Sequence, residues 1–376
     1  MKLYKYITPA VISALFTIQL HAQVFSNKEA GKRNEEIRDS MKTAEYPYVL
    51  PIWGEKATQK GFNLPYSAGV SAQYFWQQSD LILENLSVGF NNGTMYNLDG
   101  LVQFDKAKAT ASATTIRPDI WLFPFLNVYG IFGQAHASTD IGYGVYVPDS
   151  NGNRVNVLNG GTKVEFNTTT FGFGMTPTIG VMGCFLALDM NMAWTDVPQL
   201  NKPARSFVFG PRLGKSFNIN RQKERAFAVW CGGFRVSIKS ETSGSIPLTD
   251  AIDVSEMQTK VANAEVKIND AQQGVNIWWS GLTPVEQKNP VNIAKHNAAN
   301  SALEKAGNLV AGFDQAASTI STSTVQYSMD KRPKDKWNFI VGGQFQINKH
   351  WMLRGEYGFL ASRQQFLIGT QYRFGL

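Results

Sequence analysis

Three segments of alternating polarity follow one another between Trp337 and Leu376. In the last, Phe366, Ile368, Thr370, Tyr372, Phe374 and Leu376 fall on one face, and Gln365, Gly369, Gln371, Arg373 and Gly375 on the other. The segment before it sets Trp351, Leu353, Gly355, Tyr357 and Phe359 against Met352, Arg354, Glu356 and Gly358. The first sets Trp337, Phe339, Val341, Phe345 and Ile347 against Asn338, Gly342, Gln344 and Gln346. Side chains alternate across a strand, so each segment has one apolar and one polar wall. Asn348–His350 and Ala361–Arg363 are short links between them. A meander of strands of about ten residues has the length to cross a bilayer at a tilt.

A soluble sandwich also alternates, with one face in a core. Its outward face should then carry many Lys and Glu. Here the polar wall is Gly, Gln, Asn and isolated charges, and aromatics gather near strand ends. That pattern suits lipid outside, a polar lumen inside and aromatic girdles at both interfaces. The chain resembles the Gram-negative outer-membrane β-barrel proteins, whose last strand ends in a targeting signal of a glycine followed by alternating aromatic or apolar residues. Gly369, Tyr372, Phe374 and Leu376 fit that signal, with Leu at the end where Phe is commoner. The resemblance implies an all-β transmembrane barrel, outer-membrane lipid and lipopolysaccharide as surroundings, and the barrel-assembly machinery as a partner.

The start of the chain agrees. Lys2 and Lys5 precede an apolar run from Ile7 to Leu20, and Ala22 offers a small residue for cleavage, with Gln23 as the mature start. This reads as a secretory leader over 1–22. No other apolar run approaches the length of a membrane helix. Strands that enter lipid must then close into a barrel to satisfy their backbone groups. Charged residues make up only 17% of the chain, below the usual quarter. The formal charge of +7 falls to +5 when Lys2 and Lys5 leave with the leader. Cys184 and Cys231 fall on opposite faces in this phasing, which disfavours a disulfide. No metal-ligand spacing, cofactor motif or nucleic-acid motif is expected.

The pattern divides the chain into five parts. After the leader comes a periplasmic segment with a short helix over 29–44 (23–65), then the first barrel strands (66–249). A helical insertion on the extracellular side (250–330) and the last three strands (331–376) complete it. Within 66–249 the strands expected are 66–77, 110–123, 127–145, 164–176, 178–194, 206–217 and 226–239, with weaker ones at 83–91 and 98–106. A bulge is expected near Thr169, where the apolar phase changes, and a turn at Pro177. Counting the weak pair gives twelve strands; treating it as a plug gives ten. The links at Pro124, Pro177, Asn218 and Asn348 are then short and periplasmic, while the loops at Pro148 and Val197 and the insertion are external, the asymmetry barrels show. Inside the insertion, 251–273 and 291–313 have helical composition. Val254, Met257, Val261, Ala264 and Ile268 recur at steps of three and four, one face of a helix. Ile277, Trp278 and Trp279 between the two helices are its expected anchor, as a plug, a lid or a surface for a partner.

The same phasing points Arg117, Asp119, His136, Asp140, Asp189, Arg212, Arg235, Arg354, Glu356 and Arg373 into the lumen. Such a lining either pairs its charges and fills the barrel or selects small solutes. The functional expectation is a porin-like channel for small hydrophilic solutes; the alternative is a structural or surface-interaction barrel with a closed lumen. A third reading concerns His136, Ser138 and Asp140, spaced i, i+2, i+4. The His-x-Ser spacing resembles that of outer-membrane lipid A deacylases, whose site faces lipid. Phasing turns these residues to the lumen, so no catalytic residue is assigned.

Overall fold

The computed structural model describes residues 45–376 except 150, 182–183, 197–202, 220–223, 240–242, 252–256, 318 and 320–321, together with isolated positions before residue 45. The leader over 1–22 and most of the helix expected over 29–44 lie outside the described residues. The strands are β1 Ala68–Phe90, β2 Val102–Phe123, β3 Leu126–Pro148, β4 Arg154–Val181, β5 Cys184–Asp196, β6 Ala204–Asn218 and β7 Ala226–Lys239. Then come β8 Ser243–Pro247, β9 Thr324–Pro333, β10 Trp337–Gln346, β11 Trp351–Leu360 and β12 Arg363–Phe374. Ten of them close an antiparallel ring: β1 to β7 in order, then β10, β11, β12 and back to β1. The closing seam runs from Ala68↔Phe374 to Ser79↔Arg363.

Both weak strands exist, but neither is a separate crossing nor a plug. The expected strands 66–77 and 83–91 are one strand, β1, which continues through Gln78-Ser79-Asp80. Likewise 98–106 and 110–123 merge into β2. The ring therefore has ten members rather than twelve. A second correction concerns Pro177. β4 passes through it to Val181, with Pro177 opposite Leu126 near the end of the ladder. The β4–β5 pairing lapses between Met175↔Met190 and Thr178↔Ala187 with the register unchanged, so the missing N–H falls in an unpaired step of the ladder. No bulge occurs at Thr169, where the β3–β4 register runs unbroken from Val145↔Leu158 to Leu126↔Pro177.

Strand length divides the ring. β1 to β4 have 23, 22, 23 and 28 residues. The other six have between 10 and 15. The long strands rise above the rim on one side as a wall, at the end opposite Phe374. Above Asp80, β1 parts from β2 on one edge, while on the other β9 takes the place of β12 and pairs from Leu81↔Pro333 to Phe90↔Val325. β8 adds to β9 at the edge of this upper sheet.

The insertion leaves after β7 and returns before β10, neighbours in the ring. It carries two long helices, α2 Met257–Gly281 and α3 Pro290–Ala317. The first helix runs past its expected end and includes Ile277, Trp278 and Trp279. Val261, Ala264, Ile268, Ala271 and Val275 on α2 meet Leu303, Ala306, Leu309, Val310, Phe313 and Ala316 on α3. Together they pack on the inner face of the wall, against Leu86, Val88, Val145, Val147, Val157 and Leu158. Phe90 meets Phe313 edge to face at 4.8 Å. This seam is what anchors the hairpin. The tryptophans sit at its far tip, where Trp279 stacks on His296 at 4.2 Å and Ile277 is 71% exposed. Among the described residues, the hairpin neither enters the lumen nor uses its tip to hold the barrel.

At the other end, the segment before β1 folds under the barrel. It includes a helical turn and a half, Gly54–Gln59. The Val49 N–H donates to the Leu376 carbonyl at 2.8 Å, and the Ile52 N–H to the Leu122 carbonyl at 2.8 Å. Tyr48 lies over Gly375 so closely that a Cβ there would collide with its ring, and Trp53 rests on Phe123 at 5.1 Å.

Candidate functional site: a filled lumen inside an apolar belt

The lower part of the ring has an apolar exterior. Val70, Tyr74, Ile116, Phe132, Phe171, Leu213, Phe339, Leu353, Phe366 and Ile368 all point outward and are exposed. Ten residues at about 3.4 Å and a tilt near 40° span about 26 Å, the height of a hydrocarbon core. Aromatic contacts mark both edges. Trp351 meets Tyr372 at 5.1 Å below, and Phe171 stacks on Trp194 at 5.4 Å above.

Inside this belt seven of the residues expected in the lumen project inward: Arg117, Asp119, Asp189, Arg212, Arg354, Glu356 and Arg373. All are at most 8% exposed. They form two connected groups. In the first, Arg212 grips Glu356 through Nε at 3.0 Å and a second nitrogen at 3.4 Å. Trp230 Nε1 donates to the same carboxylate at 2.9 Å, and Arg354 reaches it at 3.4 Å while lying 4.4 Å over the Trp230 ring. Arg212 also stands 3.8 Å from Asp189, which accepts from the Tyr129 hydroxyl at 2.6 Å and the Thr176 hydroxyl at 2.8 Å. The Arg117 guanidinium lies 3.4 Å over the Tyr129 ring. In the second group, Asp119 accepts from Gln371 at 2.7 Å and Asn127 at 2.8 Å, with Arg373 at 3.3 Å. Arg373 Nε in turn donates to the Tyr66 carbonyl at 2.9 Å.

Backbone geometry makes room for this packing. A Cβ on Gly342 of β10 would stand 2.5 Å from the Trp230 ring, so the indole reaches Glu356 only across a glycine. One member escaped the sequence. Arg363 sits at the top of β12, fully buried, with Nε and a second nitrogen on Gln77 at 3.2 and 2.7 Å. It is the first residue of β12 and the partner of Ser79, although the sequence places it in a link. Its phase with Gln365 and Gln371 was the available signal.

Three expected lumen residues face outward. His136 and Asp140 lie on the outer surface of β3, whose inner face there is Ala135, Ala137 and Ile141. They stand above the belt, where the exterior is polar and the interior apolar, so the rule used to phase them runs in reverse. Arg235 is exposed at the top of β7, 6.0 Å over the Trp337 ring, while Phe234 and Val236 take the inward positions. Cys184 and Cys231 also prove to share a face. Both are exposed and free, on strands separated by β6.

The outward His136 row makes polar contacts across the sheet. His136 Nδ1 is 3.0 Å from Asn167 Oδ1 on β4, and Asp140 is ion-paired with Lys106 on β2.

An apolar belt of bilayer height around a charged interior leaves one architecture. This is a transmembrane β-barrel. No protein-family model matches the chain, and no curated protein matches it. Among solved structures it is similar to the β domain of the Bordetella autotransporter BrkA, at 10% identity and a TM-score of 0.32, covering 82% of this chain and 100% of that one. It is similar to the translocator domain of the autotransporter NalP from Neisseria meningitidis at 8% identity and a TM-score of 0.31, covering 91% and 94%. An outer-membrane channel from Pseudomonas putida F1 matches at 9% identity and a TM-score of 0.27, covering 83% and 97%.

Proposed function

We propose that the protein is a surface-binding barrel with a closed lumen, whose working part is the upper wall with its helical hairpin. The observation that carries this is the packing of the lumen. Guanidinium and carboxylate groups on strands that are not neighbours in the ring meet directly, Arg212 of β6 with Glu356 of β11 and Arg373 of β12 with Asp119 of β2, and each is at most 8% exposed. Small barrels fill in this way, whereas a pore needs a continuous wet path. In this reading the lower end faces the periplasm and the wall faces the exterior. The leader over 1–22 directs export, and Gly369, Tyr372, Phe374 and Leu376 address the chain to the assembly machinery. Lipid contacts the belt, and lipopolysaccharide meets the polar outer face around His136 and Asn167.

The reading is tested by conductance in planar bilayers, beside a chain lacking Asp250 to Thr322. Both are expected to be silent while remaining folded by resistance to unfolding in cold detergent. Steady conductance from the intact protein restores the channel for small solutes. Conductance only after the deletion makes the hairpin a gate. Either result overturns the closed-lumen reading.

A further inference from the structure

Between the hairpin and the inner face of the wall lies a cavity of about 100 Å³. Leu86, Val102, Ile141, Val145, Leu309 and Phe313 line it, and its accessible surface is wholly apolar. A packed interior contains few such voids, and apolar ones stay dry. One wall residue does not belong to an apolar core. Lys331 of β9 lines the cavity beside Met329. Its Nζ is cut off from solvent and has no hydrogen-bond partner among the described residues. An ammonium so placed is expensive to bury unless something pairs with it.

Among the described residues no counter-ion is supplied. The carboxylates nearest in register stand on the outer face of the same sheet and are already engaged. Glu84 is held by Arg332 at 3.0 Å, and Asp330 accepts from Asn85 at 2.6 Å. The other ionisable groups lining the cavity are two phenols, Tyr143 and Tyr327. Burial pushes the Tyr143 hydroxyl up to about 12, so it remains neutral. The same burial holds the Lys331 ammonium well below the ordinary lysine value.

A second opening lies next to the cavity. The β1–β2 ladder ends at Asp80↔Lys108, and above it the two strands part. The opening between them, about 360 Å³, is bordered by Glu84, Asn85, Asp99 and Gly100. It shares Leu86, Leu98, Val102 and Phe104 with the cavity behind it. The gap faces sideways, several residues above Trp76 at the top of the belt, so it opens to the medium rather than to the hydrocarbon.

We propose that this cavity binds a small carboxylate with an apolar chain or ring, which enters between β1 and β2 and places its single negative charge on Lys331. The chemistry selects this class. A dry pocket with one ammonium beside the neutral hydroxyls of Thr162, Tyr143 and Tyr327 suits one charge; a phosphate, with more charge and more acceptors, needs several charged donors. An acyl chain esterified to a lipid carries no charge at its own end and does not answer Lys331. The proposal rests on the reading that the upper domain is the working part, and it is tested separately from conductance.

The test uses the full chain in phospholipid nanodiscs, with butyrate and 1-butanol as probes small enough for the cavity. Calorimetry is read against empty nanodiscs, and ¹³C-carboxyl butyrate is followed by NMR. The intact protein is expected to bind butyrate saturably and more tightly than butanol. Lys331→Met is expected to weaken butyrate by about tenfold or more and leave butanol unchanged, since a charge-assisted bond is lost. Lys331→Arg is expected to retain butyrate binding. Val102→Trp, which fills the cavity, is expected to abolish both, with an unchanged melting profile showing that it folds. Absence of saturable butyrate binding, equal affinity for butanol, or full butyrate binding by Lys331→Met overturns the proposal. Silent bilayers combined with butyrate binding support both readings; conductance combined with butyrate binding removes only the closed lumen.

Discussion

A single strand crosses two regions of opposite construction. Up to Phe132, β3 turns Phe132 outward and places Tyr129 over the lumen charges. Beyond it, the same strand turns Gln134, His136, Ser138 and Asp140 outward and hides Ala135, Ala137, Ile141, Val145 and Val147. β4 does the same, with Phe171 and Phe173 outward below Thr169 and Phe166 inward above. The backbone does not change, and no extra residue is inserted at the boundary. What changes is the solvent. Lipid accepts apolar side chains and sends charge to the interior; water reverses both preferences. The upper wall is a soluble fold grown on the end of a membrane fold, and it closes its core with helices because the shorter strands do not rise to meet it.

This contrast orders the effects of substitution. The largest should come from the lumen. Glu356→Ala strips Arg212 and Arg354 of their shared carboxylate, and breaking one side of a buried ionic cluster costs about 3–5 kcal/mol. Urea unfolding in lipid vesicles followed by tryptophan fluorescence reads this directly, and a cost under about 1 kcal/mol would mean that water already screens the cluster.

Next comes the exterior, where identical changes should diverge. Ile368→Lys, in the middle of the belt, should cost about 2–4 kcal/mol. Asn167→Lys, on the outer face of the upper wall, should stay within about 0.5 kcal/mol. Equal costs in the same unfolding assay would place the membrane boundary elsewhere on the ring.

Lys331→Met should act with the opposite sign, adding stability of order 1 kcal/mol without ligand, because an unpaired polar group leaves an apolar core. The pH dependence has a definite direction. With its folded pKa held below the unfolded value, Lys331 makes the native chain bind fewer protons than the unfolded one between the lowered value and about 10.4. Stability of the upper region therefore rises with pH across that window, and Lys331→Met should flatten the rise in melts at stepped pH. Smallest of all, His136→Ala should leave unfolding within about 0.5 kcal/mol, since the side chain is exposed and its hydrogen bond to Asn167 lies on the outer surface.

The ring was legible where one solvent surrounds the whole strand. β10, β11 and β12 lie almost wholly within the belt, and their alternation alone gives Arg354, Glu356 and Arg373 their inward sense. The long strands were harder because a single phase rule cannot cover both of their environments. Gln78-Ser79-Asp80 looks like a turn because polar residues cluster there, yet it marks the point where β1 leaves lipid. At Thr169 the apolar positions move from even to odd, which resembles a bulge and is a change of solvent. His136 and Asp140 were placed on the wrong side for the same reason. The anchoring of the hairpin was half visible: the face through Val261, Ala264 and Ile268 showed in its spacing, but nothing local indicated that a sheet, rather than the lumen or a partner, receives it. The pocket was not legible, because Lys331 acquires its setting only when β9 docks on β1.

The return path of the insertion has a mechanical meaning. After β9, residues 334–336 cross the top of the β11–β12 hairpin, where Ser362 bonds to Asp335 and the Lys334 N–H donates to the Asp80 carbonyl at 3.0 Å. A pull on the hairpin tip is therefore carried along β9 into β1, with the ladder from Leu81↔Pro333 to Phe90↔Val325 loaded in shear rather than peeled open. From β1 the load spreads to β2 and β12 on either side, so whatever takes hold of the tip pulls on the continuous wall of the ring and not on the mouth.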